Sequence, residues 1–412
     1  MKNKAMLLIF TLLSGFSLSS CNNIKAIETV KISVWSEPKE QEVIEKVIEN
    51  WNEKHSEKHQ IEIEFSSKPA NYYNEAIIDE FPSLFYATDS CLPNLVKNDV
   101  VTSVEKKVAK DIMEENVFVS SKGFSIDDCI FGYPTIVDSG YFLWYNNKFI
   151  SKEEANSLET IFEIAKENKS SIYFDIANGW YVNSLFMSPQ ACGLESIKCF
   201  EDDNGKVCYE CNWDSNEGIK VAEYANSLFN KYFMDDIIYP SSSISLSKLL
   251  KEEKIIAVIG GLWQETEFLE AIGDNLSASK LPEYHIDEKA YQMASFGFSK
   301  GYFINNNKSN SEIATSNLLG QLLTSEEAQL LRYELTGNIP TRIDVIDDKK
   351  FKEIASVGDL AFAEQSKYAC VQYQTTGDDY WSVGQQIGSA ILENIPNNKT
   401  WAEYLKEMLA KL

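Results

Sequence analysis

Val30-Lys31-Ile32-Ser33-Val34-Trp35 alternates apolar and polar residues; Val43, Ile44, Val47, Ile48 and Trp51 then recur at helical spacing; and Ile61-Glu62-Ile63-Glu64-Phe65 alternates again. Side chains alternate across a strand and line one face of a helix every 3.6 residues, so this stretch reads strand, helix, strand. Such a unit buries its sheet beneath the crossover helix, which points to an α/β fold. Outward from it, residues 81–87 read as a buried strand, and 95–104 as a short helix and loop. Residues 132–137 and 141–145 read as two strands close together. Helices are expected over 151–167, 214–232 and 246–253, and strands over 171–176, 255–259 and 294–304. The last third is helical. Thr324-Ser325-Glu326-Glu327 and Thr400-Trp401-Ala402-Glu403 both carry the pattern of a capping box, in which a hydroxyl and a Glu each satisfy an orphan amide.

The first twenty residues form an address. Lys2 and Lys4 precede an apolar run, Ala5 to Leu18, which ends in Ser19-Ser20-Cys21. That is the order of a bacterial secretory signal. The run is shorter than the roughly 20 residues that span a bilayer. A Cys after small residues resembles the lipobox of bacterial lipoproteins, which implies cleavage before Cys21 and its acylation. Residues 21–28 then form an anchor and tether, and the protein is expected to be exported and held at a bacterial membrane through lipidated Cys21.

The 412 residues carry 38 Lys and Arg against 62 Asp and Glu. Without Lys2 and Lys4, 36 basic side chains remain against those 62 acids, a formal charge of −26. Nucleic-acid binding needs a basic surface, and so is disfavoured. A strongly anionic ligand is disfavoured for the same reason. A chain of this length exceeds the 250–300 residues at which one core stops growing, so two lobes are expected.

Eight cysteines stand at 21, 91, 129, 192, 199, 208, 211 and 370. Asp202-Asp203-Asn204-Gly205 is a hairpin signal, and a loop there would set Cys199 opposite Cys208. Three outcomes are open: a local disulfide, free thiols, or a zinc site using the Cys208-x-x-Cys211 spacing. His55 and His59 are four apart, but lack the order of a zinc protease motif. No Gly-rich phosphate loop occurs, and no cofactor is expected.

Taken in order, the motifs resemble bacterial extracellular solute-binding proteins of the maltose-binding type over nearly all of residues 29–412. Val30 to Trp35 resembles that family's first strand, ending in a Trp at the cleft. Phe85-Tyr86-Ala87-Thr88-Asp89 resembles the strand and turn that present an aromatic and an acid, although Pro82-Ser83 stands where Pro-Asp is common. Gly132-Tyr133-Pro134 through Tyr145-Asn146-Asn147-Lys148 resembles the first interlobe crossing, with Asp138 at a polar ligand contact. Residues 174–181 resemble a loop carrying an acid and an aromatic; Trp180 fits, whereas Asn178 replaces the acid. Gly260 to Trp263, Gly337 to Arg342 and Asp379-Tyr380-Trp381 resemble a cleft turn, a further crossing and the last aromatic wall.

The resemblance implies an α/β, two-lobed periplasmic-binding-protein fold with about three hinge crossings and a ligand cleft between the lobes. Residues 29–138 with 300–338 would form one lobe, and 139–299 with 339–412 the other. The implied ligand-binding residues are Trp35, Glu37, Tyr86, Asp89, Asp138, Trp180, Trp263 and Trp381, with Lys39 beside Glu37. Aromatics suit the apolar faces of sugar rings, and carboxylates make strong hydrogen bonds to hydroxyls. The expected role is a monomer that captures a carbohydrate and delivers it to the permease of an ABC importer, without catalysis. The alternatives are a polyamine, metal or vitamin ligand on the same scaffold, a secreted glycan-active enzyme, and an adhesin.

Overall fold

The computed structural model describes residues 29–55, 59–74, 77–201, 206–239, 245–372, 377–396 and 399–412. The leader, Cys21 and the 202–205 turn lie outside the described residues. Strand Thr29–Ser36, helix Gln41–Lys54 and strand Gln60–Ser67 form the expected unit, with the two strands parallel. The helix buries Val43, Ile44 and Ile48, the apolar stripe visible in the sequence.

These strands belong to a six-stranded mixed sheet. Its order runs Ala369–Val371, Ser295–Ile304, Leu84–Thr88, Thr29–Ser36, Gln60–Ser67, and Gly132–Asp138 also pairs with Ser295–Ile304. A second sheet has five strands in the order Ile238–Tyr239, Ser171–Tyr173, Ile255–Gly260, Phe142–Asn146, Leu276–Ser279. Gly132–Asp138 and Phe142–Asn146 are close in sequence but lie in different sheets. Between them Ser139 has φ 61° and Gly140 φ 138°. Left-handed backbone is uncommon for a non-glycine residue. Here Asp138 Oδ1 accepts from the Ser139 amide at 2.8 Å, which holds the turn. A Cβ at Gly140 would lie 2.8 Å from the Phe362 ring, so the crossing is closely packed.

Each sheet has its own apolar core. Ile32, Val34, Phe85 and Tyr302 belong to one, and Leu143, Ile172, Phe229 and Ile387 to the other. A third cluster contains Val137, Phe142, Trp144 and Phe362, and so buries side chains from both sheets around the crossing. Among the described residues no helix is long and apolar enough to cross a membrane.

Two local expectations are corrected. The hairpin Ile197–Glu201/Val207–Cys211 pairs Cys199 with Tyr209 and Cys208 with Phe200. A one-residue offset turns side chains to opposite faces, so Cys199 and Cys208 are not cross-strand partners. Cys208 and Cys211, three apart on one strand, also face opposite ways. Thr400 and Glu403 form the expected capping box, but helix Glu326–Thr336 is capped by Ser325, whose hydroxyl accepts from the Ala328 amide. The Thr324 hydroxyl instead donates to the Gly320 carbonyl of the preceding helix.

Beneath the first sheet's end lies a fully buried ion pair. Arg332 Nε donates to Glu40 Oε2 at 2.9 Å, and both side chains are inaccessible to solvent. Tyr302 OH donates to the same oxygen at 3.3 Å, and Arg332 Nη1 donates to the Leu323 carbonyl at 3.1 Å. The pair joins the start of the first helix to helix Glu326–Thr336. Breaking a buried pair leaves one charge uncompensated. Arg332→Met is therefore predicted to lower unfolding free energy in urea by about 3–5 kcal/mol, and the double variant Glu40→Gln/Arg332→Met by less. Equal losses in the single and double variants would show that the pairing itself is not what matters.

Candidate functional site

The site is assembled around the long strand Ser295–Ile304. Phe298 pairs with Asp138 in the antiparallel register, and Lys300 follows two residues later, on the same face. Lys300 Nζ lies 3.0 Å from Asp138 Oδ2 and 3.6 Å from Glu37 Oε1. Burial alone would lower the Lys300 pKa, but the Asp138 and Glu37 carboxylates outweigh it and hold the ammonium above its ordinary value. Lys39 Nζ donates to Asn338 Oδ1 at 2.9 Å, tying the end of the first strand to the segment after Gly337. Gly337 has φ 70° and ends its helix in the left-handed conformation that glycine adopts without strain.

The same long strand reaches the aromatic residues. Phe296 packs edge-on against Trp381, with ring centroids 5.8 Å apart. Trp180 and Trp263 lie 6.1 Å apart at 34°, and Tyr141 meets Trp180 edge-on at 4.8 Å. Trp180 Nε1 donates to Gln372 Oε1 at 3.1 Å, and the Gln372 amide donates to the Gly297 carbonyl at 3.0 Å. Tyr141 OH donates to the Trp180 carbonyl. A Cβ at Gly179 would stand 2.3 Å from the Trp381 carbonyl oxygen, so glycine lets the Trp180 loop lie directly on the Trp381 helix. Trp263 is 61% exposed, a large apolar surface turned to solvent on a short turn.

The structure thus pairs Trp180 with Trp263, seats the Trp381 backbone against the loop that carries Trp180, and gathers Glu37 and Asp138 about Lys300 as a second set. It does not bring the remaining expected residues to either set. Trp35 is half-buried and packs on Tyr72 and Phe81, at 5.2 and 5.6 Å. Tyr86 is buried, with its ring 5.0 Å from Tyr302 beside the Glu40–Arg332 pair. Burial first, and then the Glu40 charge, push its phenol pKa well up. Asp89 is buried too; its Oδ2 accepts from the Ser299 amide at 2.8 Å, in space left by the missing side chain of Gly123. Burial raises its carboxyl pKa from 3.8 to about 7, against the lowering effect of the Ser299 hydrogen bond. Of the three histidines, His55 stacks on Trp51 at 3.7 Å, His59 Nε2 lies 3.1 Å from Thr315 Oγ1, and the His285 amide donates to Glu159 Oε1 at 2.7 Å.

Lys300, Gln372 and Tyr141 were missed in the sequence. The available signal was a lone charge in the otherwise apolar run Phe296-Gly297-Phe298-Ser299-Lys300-Gly301-Tyr302-Phe303. An ammonium there must find counter-charges or leave the sheet.

Comparison with known proteins bears on this arrangement. The family model described as bacterial extracellular solute-binding protein matches residues 46–357. The chain belongs to that family. The Galactooligosaccharide-binding protein of Bacillus subtilis (strain 168) is 25% identical over 272 residues, 64% of this chain and 61% of that protein. The unliganded maltodextrin-binding protein from L. casei BL23 superposes with a TM-score of 0.67 at 15% identity, over 93% of this chain and 98% of that one. The extracellular solute-binding protein from Staphylococcus aureus in complex with maltose gives 0.66 at 17% identity, over 92% and 96%. The solute-binding protein described here shares their two-lobed α/β fold. The long strand carries both Lys300, which lies between Glu37 and Asp138, and Phe296, which packs on Trp381.

In this solute-binding protein Asp89 makes a specific pH prediction. Its folded pKa lies above the unfolded value of 3.8, so the folded state holds the proton more tightly. The stability tied to that proton is complete below pH 4 and is lost as pH rises to 7. Asp89→Asn is predicted to remove a few kcal/mol of this decline, seen as a flatter plot of unfolding free energy against pH between 4 and 7 than in the unsubstituted protein. Parallel plots would mean that Asp89 titrates at its ordinary value.

Proposed function

We propose that the protein captures a neutral carbohydrate between its two lobes and delivers it to an ABC importer at the membrane, with no catalytic step. One observation carries the reading: a group of tryptophans (Trp263 exposed, Trp180 and Trp381 half-buried) and a polar cluster of two carboxylates about one ammonium (Glu37, Asp138, Lys300) are tied to the same strand. Flat indoles cover the C–H faces of pyranose rings. Carboxylates held by a lysine accept hydrogen bonds from hydroxyls while the ammonium offsets part of their charge. A cationic ligand fits less well, because the Lys300 ammonium already stands between the two carboxylates. The ligands that name the relatives, galactooligosaccharide, maltodextrin and maltose, support a sugar.

Closure would hinge at the Asp138-Ser139-Gly140 turn, at the start of the long strand, and near Asn338 to Thr341. Trp35 would extend the aromatic surface of the first lobe. Tyr86 and Asp89 would act from beneath, Asp89 by fixing the Ser299 amide beside Lys300. Cys21 would carry the lipid that keeps the protein close to its permease; two acyl chains hold a soluble domain where one is marginal. The protein would work as a monomer on the outer face of the membrane.

A thermal-shift screen of the purified protein against maltose, maltotetraose, galacto-oligosaccharides and polyamines tests the reading. A ligand at 100 times its Kd adds about 2.7 kcal/mol to the folded state and raises Tm. The expected result is a shift with a sugar that shrinks in Trp263→Ala and in Trp381→Ala. A shift with polyamines alone would replace the ligand class, and no shift with any sugar would remove the carbohydrate reading.

A further inference from the structure

Cys192 and Cys211 are both half-buried against the core of the second sheet, and both are thiols in this structure. Two features of the backbone bring them to one place. In the hairpin Ile197–Glu201/Val207–Cys211, Cys211 stands directly opposite Ile197. Just before Ile197 the chain folds back on itself: Gly193 has φ 88°, and the Ser196 amide donates to the Gly193 carbonyl at 3.0 Å. Cys192 is thereby returned to the end of the hairpin.

Asn212, the residue after Cys211, bonds to both ends of that turn. Its Nδ2 donates to the Cys192 carbonyl at 3.1 Å, and its amide donates to the Ser196 carbonyl at 3.1 Å. The Cys192 side chain points toward the same segment. Its Sγ lies 3.9 Å from Ser215 Oγ, and the Ser215 amide donates to the Asn212 carbonyl at 3.0 Å. The other two cysteines of this stretch are placed differently. Cys199 stands opposite Tyr209, and Cys208 projects from the other face of its strand to Cys211.

The electrostatics agree with the geometry. Burial pushes the Cys211 thiol up to about 12, against a hydrogen bond from the Trp213 backbone, and a charge on Cys192 raises it further, so each sulfur feels the other. Burial likewise pushes the Cys192 thiol up to about 11. Thiols this weakly acidic hold their protons at neutral pH, so they react slowly once the fold is complete.

We propose that Cys192 and Cys211 form a disulfide, which fastens the hairpin to the loop that precedes it. Extracellular proteins meet an environment in which such a bond persists. One cysteine thiolate displaces a thiolate from a disulfide-bearing oxidant such as oxidised glutathione; the second attacks the mixed disulfide and displaces the other half. The two cysteines lose two protons and two electrons, and the oxidant leaves as two thiols. The cross-link restricts the unfolded chain and so favours the folded one. It also secures a support of the ligand site. Tyr209 OH accepts from the Gly377 amide at 2.6 Å, at the start of the helix that carries Trp381, and the Tyr209 ring stacks 5.9 Å from Tyr380.

Peptide mapping of the protein, refolded from urea in a buffer of reduced and oxidised glutathione, tests the bond. After alkylation without reduction, trypsin releases Cys192 on residues 170–198, Cys199 on 199–206, and Cys208 with Cys211 on 207–220. In Cys208→Ser the last peptide carries Cys211 alone, and in the unsubstituted protein fragmentation of the linked peptide separates the two. The expected product in both proteins is 170–198 joined to 207–220 through Cys211, lighter by two hydrogen atoms than the reduced pair and lost on treatment with dithiothreitol. Complete alkylation of Cys192 and Cys211 overturns the proposal, as does any linkage that omits either of them while leaving the other alkylated.

Discussion

A ten-residue strand whose backbone must be paired on both sides governs this molecule. Ser295–Ile304 is antiparallel to Leu84–Thr88 along one edge and to Gly132–Asp138 along the other, and its first residues run parallel to Ala369–Val371. Buried amides and carbonyls cannot be left unpaired, so the strand cannot slide. A slip of one residue would turn Lys300 away from Asp138 and Glu37 and bury it where Gly301 now lies. Gly301 allows no such exchange, since a Cβ there would come within 2.2 Å of the Tyr133 carbonyl oxygen. Register in one strand thus sets the charge cluster at one end and the Phe296 contact with Trp381 at the other.

The charges around that strand are arranged in two different ways. Glu40 and Arg332 are fully buried and serve the fold, tying the first helix to a helix nearly 300 positions later. Glu37, Asp138 and Lys300 are partly exposed, so each keeps hydrogen-bonding capacity that solvent or a ligand uses. The contrast lies between neighbouring residues: Glu40, Arg332 and Tyr302 are bonded to one another in the interior, and the half-open trio keeps contact with solvent. The crossing at Asp138-Ser139-Gly140 lies immediately beside the second trio, so motion at the turn would move Asp138 relative to Lys300.

Much of the fold was legible in local patterns. The opening strand–helix–strand needs only periodicity, and its apolar stripes packed as read. The Cys199–Cys208 pairing failed because hairpin register depends on turn geometry, which four polar residues do not specify. The Thr324 cap failed because two adjacent hydroxyls compete, and Ser325 reaches the helix amides while Thr324 completes the preceding helix. Trp180, Trp263 and Trp381 were singled out by the resemblance of their segments to the family, because a tryptophan in a chain of this size is otherwise usually a packing residue. Tyr86 and Asp89 are both buried: Tyr86 lies on Leu84–Thr88, which is paired on both sides, and Asp89 opens the short helical turn that follows the strand. Lys300 escaped notice because its partners lie some 160 and 260 positions away, and no local pattern marks a contact of that range.

The central claim is that a solute is held between two lobes that close on it. Small-angle X-ray scattering of the protein with and without a bound oligosaccharide addresses it directly. The account predicts a fall in radius of gyration that saturates at the same sugar concentration as binding followed by tryptophan fluorescence. A sugar that binds and perturbs the tryptophans while the radius of gyration stays constant would contradict closure, and with it the use of the strand between the lobes as the organising element of the site.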